Sequence, residues 1–442
     1  MRYSEFKISL IESKEDKEAK ELLFKTADGN VLRKVVDFLK TSLKKVKPDT
    51  DNALTKTDTD TNIDNKISPV NPVKEDINAD KAFAIQAIEE LAKAGATDDI
   101  QHLISFLRKN EIYENTKRAI NSNISQGVKG DLDKKLGQMI IDLNAPFEEK
   151  LKFLDMLADQ EGLWNGKELI SNLSGNIYSK LSKNSVATAL AKPIALKLRG
   201  AMGYGPDQGP GEFLLALTGN GIDLADKSDL VLINGMGVEV KADGTSVNPN
   251  TKKTSRSGGR LYATSGYNGG TGARAKVKEA LLEVGVPSDV FDQFGWNGKK
   301  KGQKYKNLNF NAGGVNNLNT LLEEYTQDGS AKQVLKSIAR GFYTDLPPGM
   351  EKDFVENSST GNKIDYKTAL TEFVALGHEY YKLLEGHDYI MIFNTDNGDY
   401  VMIKDGNDMK EAVSQGKIKI SSGMDFFDDR SKGTPQLLTG SI

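Results

Sequence analysis

Two short apolar runs, Asp229-Leu-Val-Leu-Ile233 and Gly237-Val-Glu-Val-Lys241, flank the dipeptide Asn234-Gly235. Asn-Gly between such runs is the strongest short-range signal for a β-hairpin, since both residues tolerate the positive φ of a tight turn. An antiparallel pair of strands is therefore expected here. In the second run Glu239 and Lys241 are two residues apart and share a face, while Val238 and Val240 point the other way, into a core. A two-residue turn at Asn234-Gly235 sets Asp229 across from the region just beyond Glu239, within reach of a shared site.

What surrounds the hairpin limits its chemistry. The 442 residues contain no cysteine, which excludes disulfides, thiolate zinc sites and cysteine nucleophiles. The three histidines are scattered: His102 reads as an ordinary half-buried helix residue, and His378 and His387 match no metal-ligand spacing and read as structural. No apolar run approaches the roughly 20 residues that cross a bilayer, and the opening Met1-Arg2-Tyr3-Ser4-Glu5 lacks the apolar stretch of a signal peptide. The expectation is a protein without a membrane partner that stays in the cytoplasm, or in a virion if it is phage-encoded.

The length allows several cores, and the composition changes along the chain. Residues 1–47 read as an N-terminal helical segment, with Val31, Val35, Val36, Phe38, Leu39 and Leu43 at helical spacing. Residues 48–80, rich in Asp, Thr, Asn, Lys and Pro, read as a disordered linker, because they carry almost no large apolar side chain to offset the entropy of ordering. Within them Asp58-Thr-Asp60-Thr-Asn62-Ile-Asp64 fails as a calcium loop: Ile63 stands where the turn glycine belongs and Pro69 where the bidentate glutamate belongs. Residues 81–185 carry helical periodicity and read as a bundle, with Trp164 as a packing anchor. From 186 to 420 glycine becomes frequent and strands alternate with helices, which predicts an α/β domain. Residues 421–442 read as a tail, a peripheral strand or an extended arm.

Just before the hairpin, Gly203-Tyr-Gly205-Pro-Asp-Gln-Gly209-Pro-Gly211 delivers Glu212 at the start of Phe213-Leu-Leu-Ala-Leu217, a helical turn or two. These glycines do not form a phosphate-cradling loop, since no strand precedes them and no Gly-Lys-Ser/Thr closes them. Glu212, Asp229 and Glu239 are three carboxylates of the kind that hold Mg²⁺, a hard cation with oxygen ligands. Phosphodiester hydrolysis uses such a metal to polarise a phosphoryl oxygen and generate hydroxide, with a lysine such as Lys241 to orient water or neutralise developing charge. An isolated Glu-x-Lys on a strand is usually only a solvated charge pair.

This order, Glu212, then Asp229, then Glu239-Val240-Lys241, resembles the PD-(D/E)xK, or restriction-endonuclease-like, nuclease superfamily. The resemblance covers about thirty residues and departs from the pattern at Ser228, which stands where proline precedes the aspartate. It implies an α/β core with a mixed central sheet flanked by helices, Glu212 on the first helix, Asp229 on the second strand and Glu239-x-Lys241 on the third. It implies Mg²⁺-dependent cleavage, Mn²⁺ being able to substitute, with Asp229 and Glu239 as metal ligands, Glu212 supporting a metal or its water, and Lys241 positioning the nucleophile.

A nucleic-acid partner, most naturally DNA, agrees with the charge distribution. The whole chain has a net charge of -3, yet between Lys252 and Lys306 there are twelve Lys or Arg against four acids. Lys252, Lys253, Arg256, Arg260, Arg274 and Lys276 are the residues expected to meet phosphates, with Tyr262, Tyr267, Trp296 and Tyr305 interleaved for stacking. A solvated glycine-rich loop is the plainer alternative. The tethered N-terminal helix and glycine-rich body also resemble, by composition, proteins of tailed phages, which leaves room for a homo-oligomer or a phage assembly docked through the N-terminal region. Two functions compete on the sequence: an active endonuclease, or a nucleic-acid-binding or virion structural module that keeps a nuclease fold. The retained carboxylates favour the first, because without metal they would repel a phosphate.

Overall fold

The computed structural model describes residues 13–440 apart from 27, 47–76, 126–130, 160–162, 198–208, 226–227, 248–253, 262–268, 291–309, 344 and 421–433. The described chain divides into two units, one of residues 1–118 and 137–154, the other of residues 119–136 and 155–442. Among the described residues no helix is long and apolar enough to cross a membrane.

The first unit is helical. Two helices, Lys14–Lys25 and Gly29–Val46, stand where the sequence suggested one after a short amphipathic start. Ser13 caps the first by a reciprocal exchange with Asp16, and Asp28 and Gly29 open the second. Their apolar faces, Leu22, Leu23, Leu32, Val35 and Leu39, share one core with Ala84, Ile88, Leu91, Ile100, Leu103 and Leu107. The 1–47 segment is thus half of a helical core and not a separate element on a tether. The linker assigned to 48–80 lies mostly outside the described residues, but the helix Ile77–Lys93 begins inside its last positions.

The second unit is built on a mixed sheet flanked by helices, as expected of the α/β class. Its strands are β1 (Ser174–Asn176), β2 (Ile222–Leu224), β3 (Leu230–Leu232), β4 (Gly237–Val247), β5 (Tyr389–Asn394) and β6 (Asp399–Ile403), in the spatial order β1-β6-β5-β4-β3-β2. Only β4 and β5 run parallel, with Glu239 opposite Ile390 and Lys241 opposite Ile392. The strand Thr254–Ser257 extends β4 as a second antiparallel hairpin. Because β1 belongs to this sheet and Trp164 hydrogen-bonds Thr218 within the same unit, the boundary expected at 185 moves upstream to about residue 155.

Both faces of the sheet are covered. Leu230, Leu232, Val238 and Val240 are buried on one side. On the other, Ile390, Ile392, Val401 and Ile403 form a core with Val374, Ala375 and Tyr381 of the long helix Tyr366–Glu385. The same helix turns Phe373, Leu376 and Tyr380 into a second, mainly helical core with Val277, Leu318, Leu335, Ile338 and Phe342. It is held at its start by Asp365, which accepts from two backbone N–H groups, and at its end by Gly386 in the left-handed conformation.

The segment expected to be a tail is integral where it is described. Gln436–Thr439 pairs with Ile418–Ile420 and with Gly259–Arg260 in a three-stranded sheet.

Candidate active site

The local fold places the four predicted residues through three elements. Pro210, whose ring pre-sets helical φ and whose missing N–H costs nothing at that position, opens the helix Pro210–Thr218 after Gly209. Glu212 sits in its first turn, where the helix dipole favours a negative charge. Its carboxylate folds back over Gly209 so closely that a Cβ there would meet Oε2 at 2.6 Å.

The hairpin differs from a two-residue turn in a way that decides the site. Leu232 O accepts from Gly235 N–H at 2.8 Å, and Leu232 N–H donates to Met236 O at 2.9 Å. The turn is therefore centred on Ile233-Asn234, and Gly235, at φ +79°, is the left-handed bulge residue that follows it. The register becomes Leu230 opposite Val238 and Val231 opposite Gly237; extended by one residue beyond the strand, it sets Asp229 level with Glu239. A two-residue turn at Asn234-Gly235 would set Asp229 opposite Val240 and so on the wrong face, because a one-residue slip reverses every side chain. The four apolar residues on the far face enforce the observed register.

Asp229 is buried, and its Oδ2 accepts from Val240 N–H at 2.7 Å. Glu239 is buried as well; its Oε1 accepts from Lys241 Nζ at 2.6 Å and from Tyr381 Oη at 2.9 Å. Lys241 Nζ also donates to Tyr381 Oη at 3.0 Å and lies 4.6 Å from the centre of the tyrosine ring. Glu212 Oε2 is buried with no hydrogen-bond partner.

The electrostatics tie these groups together. Burial, then the neighbouring Glu212 and Glu239, push the Asp229 carboxyl up to about 8. Burial, opposed by backbone N–H groups at 209 and 212 and reinforced by Glu239, pushes Glu212 up to about 7. Burial pulls the Lys241 ammonium down, but Glu239 and Tyr381 outweigh it and raise its pKa above the ordinary value. His387, missed as a neighbour of the site, is buried with both ring nitrogens unpartnered, 5.4 Å ring to ring from Tyr381. Burial lowers its pKa to about 4, so it is neutral at pH 7.

The chain matches no family model, no curated protein and no solved structure. The site's donors are all carboxylate oxygens, which suits a hard dication, and the orphaned Glu212 oxygen and the raised Glu212 and Asp229 carboxyls are what such a charge would relieve. Among the described residues, however, no three His, Asp or Glu side chains are gathered closely enough to hold a metal ion as they stand.

The basic residues divide differently. Lys252 and Lys253 lie outside the described residues. Arg256, though half-exposed, is engaged by the protein's own groups: Nε donates to Asp243 Oδ1 at 2.8 Å, and Nη2 donates to Asp243 Oδ2 and to Thr439 O. Asp243, wholly buried, accepts in addition from Thr439 N–H at 2.8 Å. Arg260 donates to Thr434 O. Both arginines, expected on phosphates, thus tie the strand Gln436–Thr439 and its approach to the sheet. Arg274 lies on the helix Gly269–Glu283, its side chain outside the described residues, and Lys276 on that helix is exposed.

Sequence reasoning missed Tyr381 altogether. Its only signal was its place on the apolar face of a helix, which marks core residues in general.

Proposed function

We propose that the chain is a metal-dependent nuclease hydrolysing phosphodiester bonds of DNA on a restriction-endonuclease-like α/β core. One observation carries the reading: Glu212 on a helix, Asp229 just before β3, and Glu239 and Lys241 on β4 share one buried site in which burial and neighbouring carboxylates raise the Glu212 and Asp229 carboxyls. A buried cluster of like charges beside a cation has no packing purpose and is expensive unless a ligand compensates it.

Mg²⁺, or Mn²⁺ in its place, held by Glu212, Asp229 and Glu239, would supply a polarised phosphoryl oxygen and a water of lowered pKa. Binding it requires Asp229 and Glu212 to give up the protons that burial and neighbouring carboxylates hold. Lys241, its charge reinforced by Glu239, is a cation and not a base at neutral pH. Its part is to orient the attacking water or to neutralise charge developing on the phosphoryl group.

The absence of a ready-made ligand cage among the described residues favours the second reading, a nucleic-acid-binding or virion structural module that retains the fold. One experiment separates them. Supercoiled and linear DNA are incubated with the full chain, with and without Mg²⁺ or Mn²⁺. The expected result is metal-dependent cleavage that falls at least about 100-fold in Asp229→Asn and in Lys241→Ala, with Mn²⁺ binding lost in the first and kept in the second. Variants that cleave as fast as the wild type would move the active site elsewhere. A wild type that cleaves neither DNA nor RNA hands the chain to the module reading.

A further inference from the structure

An ammonium on a four-carbon stem has three donors and little intrinsic direction. In this site two of the three are assigned. Lys241 Nζ donates to Glu239 Oε1 at 2.6 Å and to Tyr381 Oη at 3.0 Å. The tyrosine hydroxyl in turn donates to the same Glu239 oxygen at 2.9 Å, closing a three-membered ring of hydrogen bonds. The phenol thereby uses its one donor and one of its acceptor positions, a pairing that phenylalanine cannot reproduce. Its ring face, 4.6 Å from Nζ, adds a cation–π contact from below.

Tyr381 is itself fixed. It is buried on the helix Tyr366–Glu385 in the core formed by Ile390 and Ile392, and those two residues stand beside Glu239 and Lys241 on the parallel neighbour β5. The brace is thus anchored on β5, the immediate neighbour of β4, which carries both groups it holds.

We infer that Tyr381 is the positioning residue of this site: it holds the Lys241 ammonium between Glu239 and the tyrosine ring, so that the one remaining N–H is directed at a water or a phosphoryl oxygen. The inference rests on the nuclease reading for what that N–H meets, but not for the positioning itself. Without the hydroxyl, Lys241 keeps its charge and its bond to Glu239 but regains rotational freedom.

Two substitutions separate positioning from packing. Tyr381→Phe keeps the ring and loses both hydrogen bonds; Tyr381→Gln loses the ring and keeps an amide that can donate and accept. Positioning predicts that in the metal-loaded protein Tyr381→Phe lowers kcat for DNA about 10- to 50-fold with KM within about twofold, and that Tyr381→Gln is the more active of the two. Packing alone predicts the reverse order. Tyr400→Phe, which removes a buried hydroxyl bonded to Asn172 O elsewhere in the sheet, serves as the control and leaves cleavage unchanged.

A second readout needs no cleavage. Acetylation of Lys241, followed by mass spectrometry and normalised to the exposed Lys276, is expected to quicken at least about fivefold in Tyr381→Phe, because the ammonium is no longer held. Unchanged acetylation and unchanged kcat in Tyr381→Phe overturn the inference, as does a Phe variant more active than the Gln variant. If the wild type cleaves nothing, the nuclease reading fails and acetylation alone decides: faster labelling in Tyr381→Phe sustains the positioning role, and unchanged labelling removes it.

Discussion

The raised carboxyls make a thermodynamic prediction that is independent of any substrate. Asp229 has an ordinary value of 3.8 and is pushed up to about 8 in the fold. Between those limits the folded protein holds a proton that the unfolded chain releases, so stability falls as pH rises and is flat below about 4 and above about 8. Each proton held only by the folded state costs about 1.4 kcal/mol per pH unit within the window. Glu212 contributes to the rise of Asp229, so the two titrations are linked and count as a single proton, giving a loss of about 2–3 kcal/mol between pH 5 and pH 7. For a unit of this size that is a fall in Tm of roughly 5 °C. Asp229→Asn keeps an oxygen that can accept from Val240 N–H, while removing the charge. It should flatten the slope to less than half and leave the variant more stable than the wild type at pH 8 without metal. The effect is larger than a solvated residue would show, since Asp229 is buried. Mg²⁺ should restore the wild type at pH 8 and do nothing for the variant. The measurement is a series of thermal melts from pH 4.5 to 8.5, with EDTA and with Mg²⁺. A wild-type slope equal to that of Asp229→Asn, or a variant less stable at pH 8, would refute the reasoning.

Two further outcomes follow from the fold. Arg256→Ala leaves the wholly buried Asp243 without its cation, and should destabilise the second unit by about 2–3 kcal/mol, the half-exposed guanidinium placing it below a fully buried pair; the double variant with Asp243→Asn should recover part of that loss in urea unfolding, and full additivity of the two would show that they are uncoupled. Deleting residues 1–46 strips the partners of Ala84, Ile88, Leu91 and Leu103, so the melting transition of the first unit should vanish and dye binding to apolar surface should rise while the second unit still unfolds cooperatively; an unchanged first transition would mean that those helices are dispensable.

Much of the second unit was legible because its signals are local. Asn234-Gly235 and the alternation around Glu239 mark a hairpin within a few residues, and that hairpin is present. The register was not legible to one residue, since a two-residue turn and a turn with a following bulge share the same dipeptide. That residue decides whether Asp229 joins Glu239 or faces away from it. The partners of the site residues were less accessible still. Tyr381 meets Lys241 across 140 positions, and Thr439 meets Asp243 across 196, with nothing in either short segment to announce the pairing. Arg256 illustrates the converse error: a local run of positive charge suggests an outward-facing phosphate contact, whereas a buried aspartate thirteen positions earlier captures the guanidinium.

The long reach of those pairings has a consequence in time. A ribosome adding about 5–20 residues per second reaches residue 381 roughly 7–28 seconds after Lys241, and residue 439 roughly 10–40 seconds after Asp243. Throughout that interval β4 lacks its parallel neighbour β5, the lysine has no tyrosine against it, and Asp243 has no partner from the strand Gln436–Thr439. Whatever chemistry the site performs is therefore withheld from the nascent chain, and begins only when translation has moved well past the motif that encodes it.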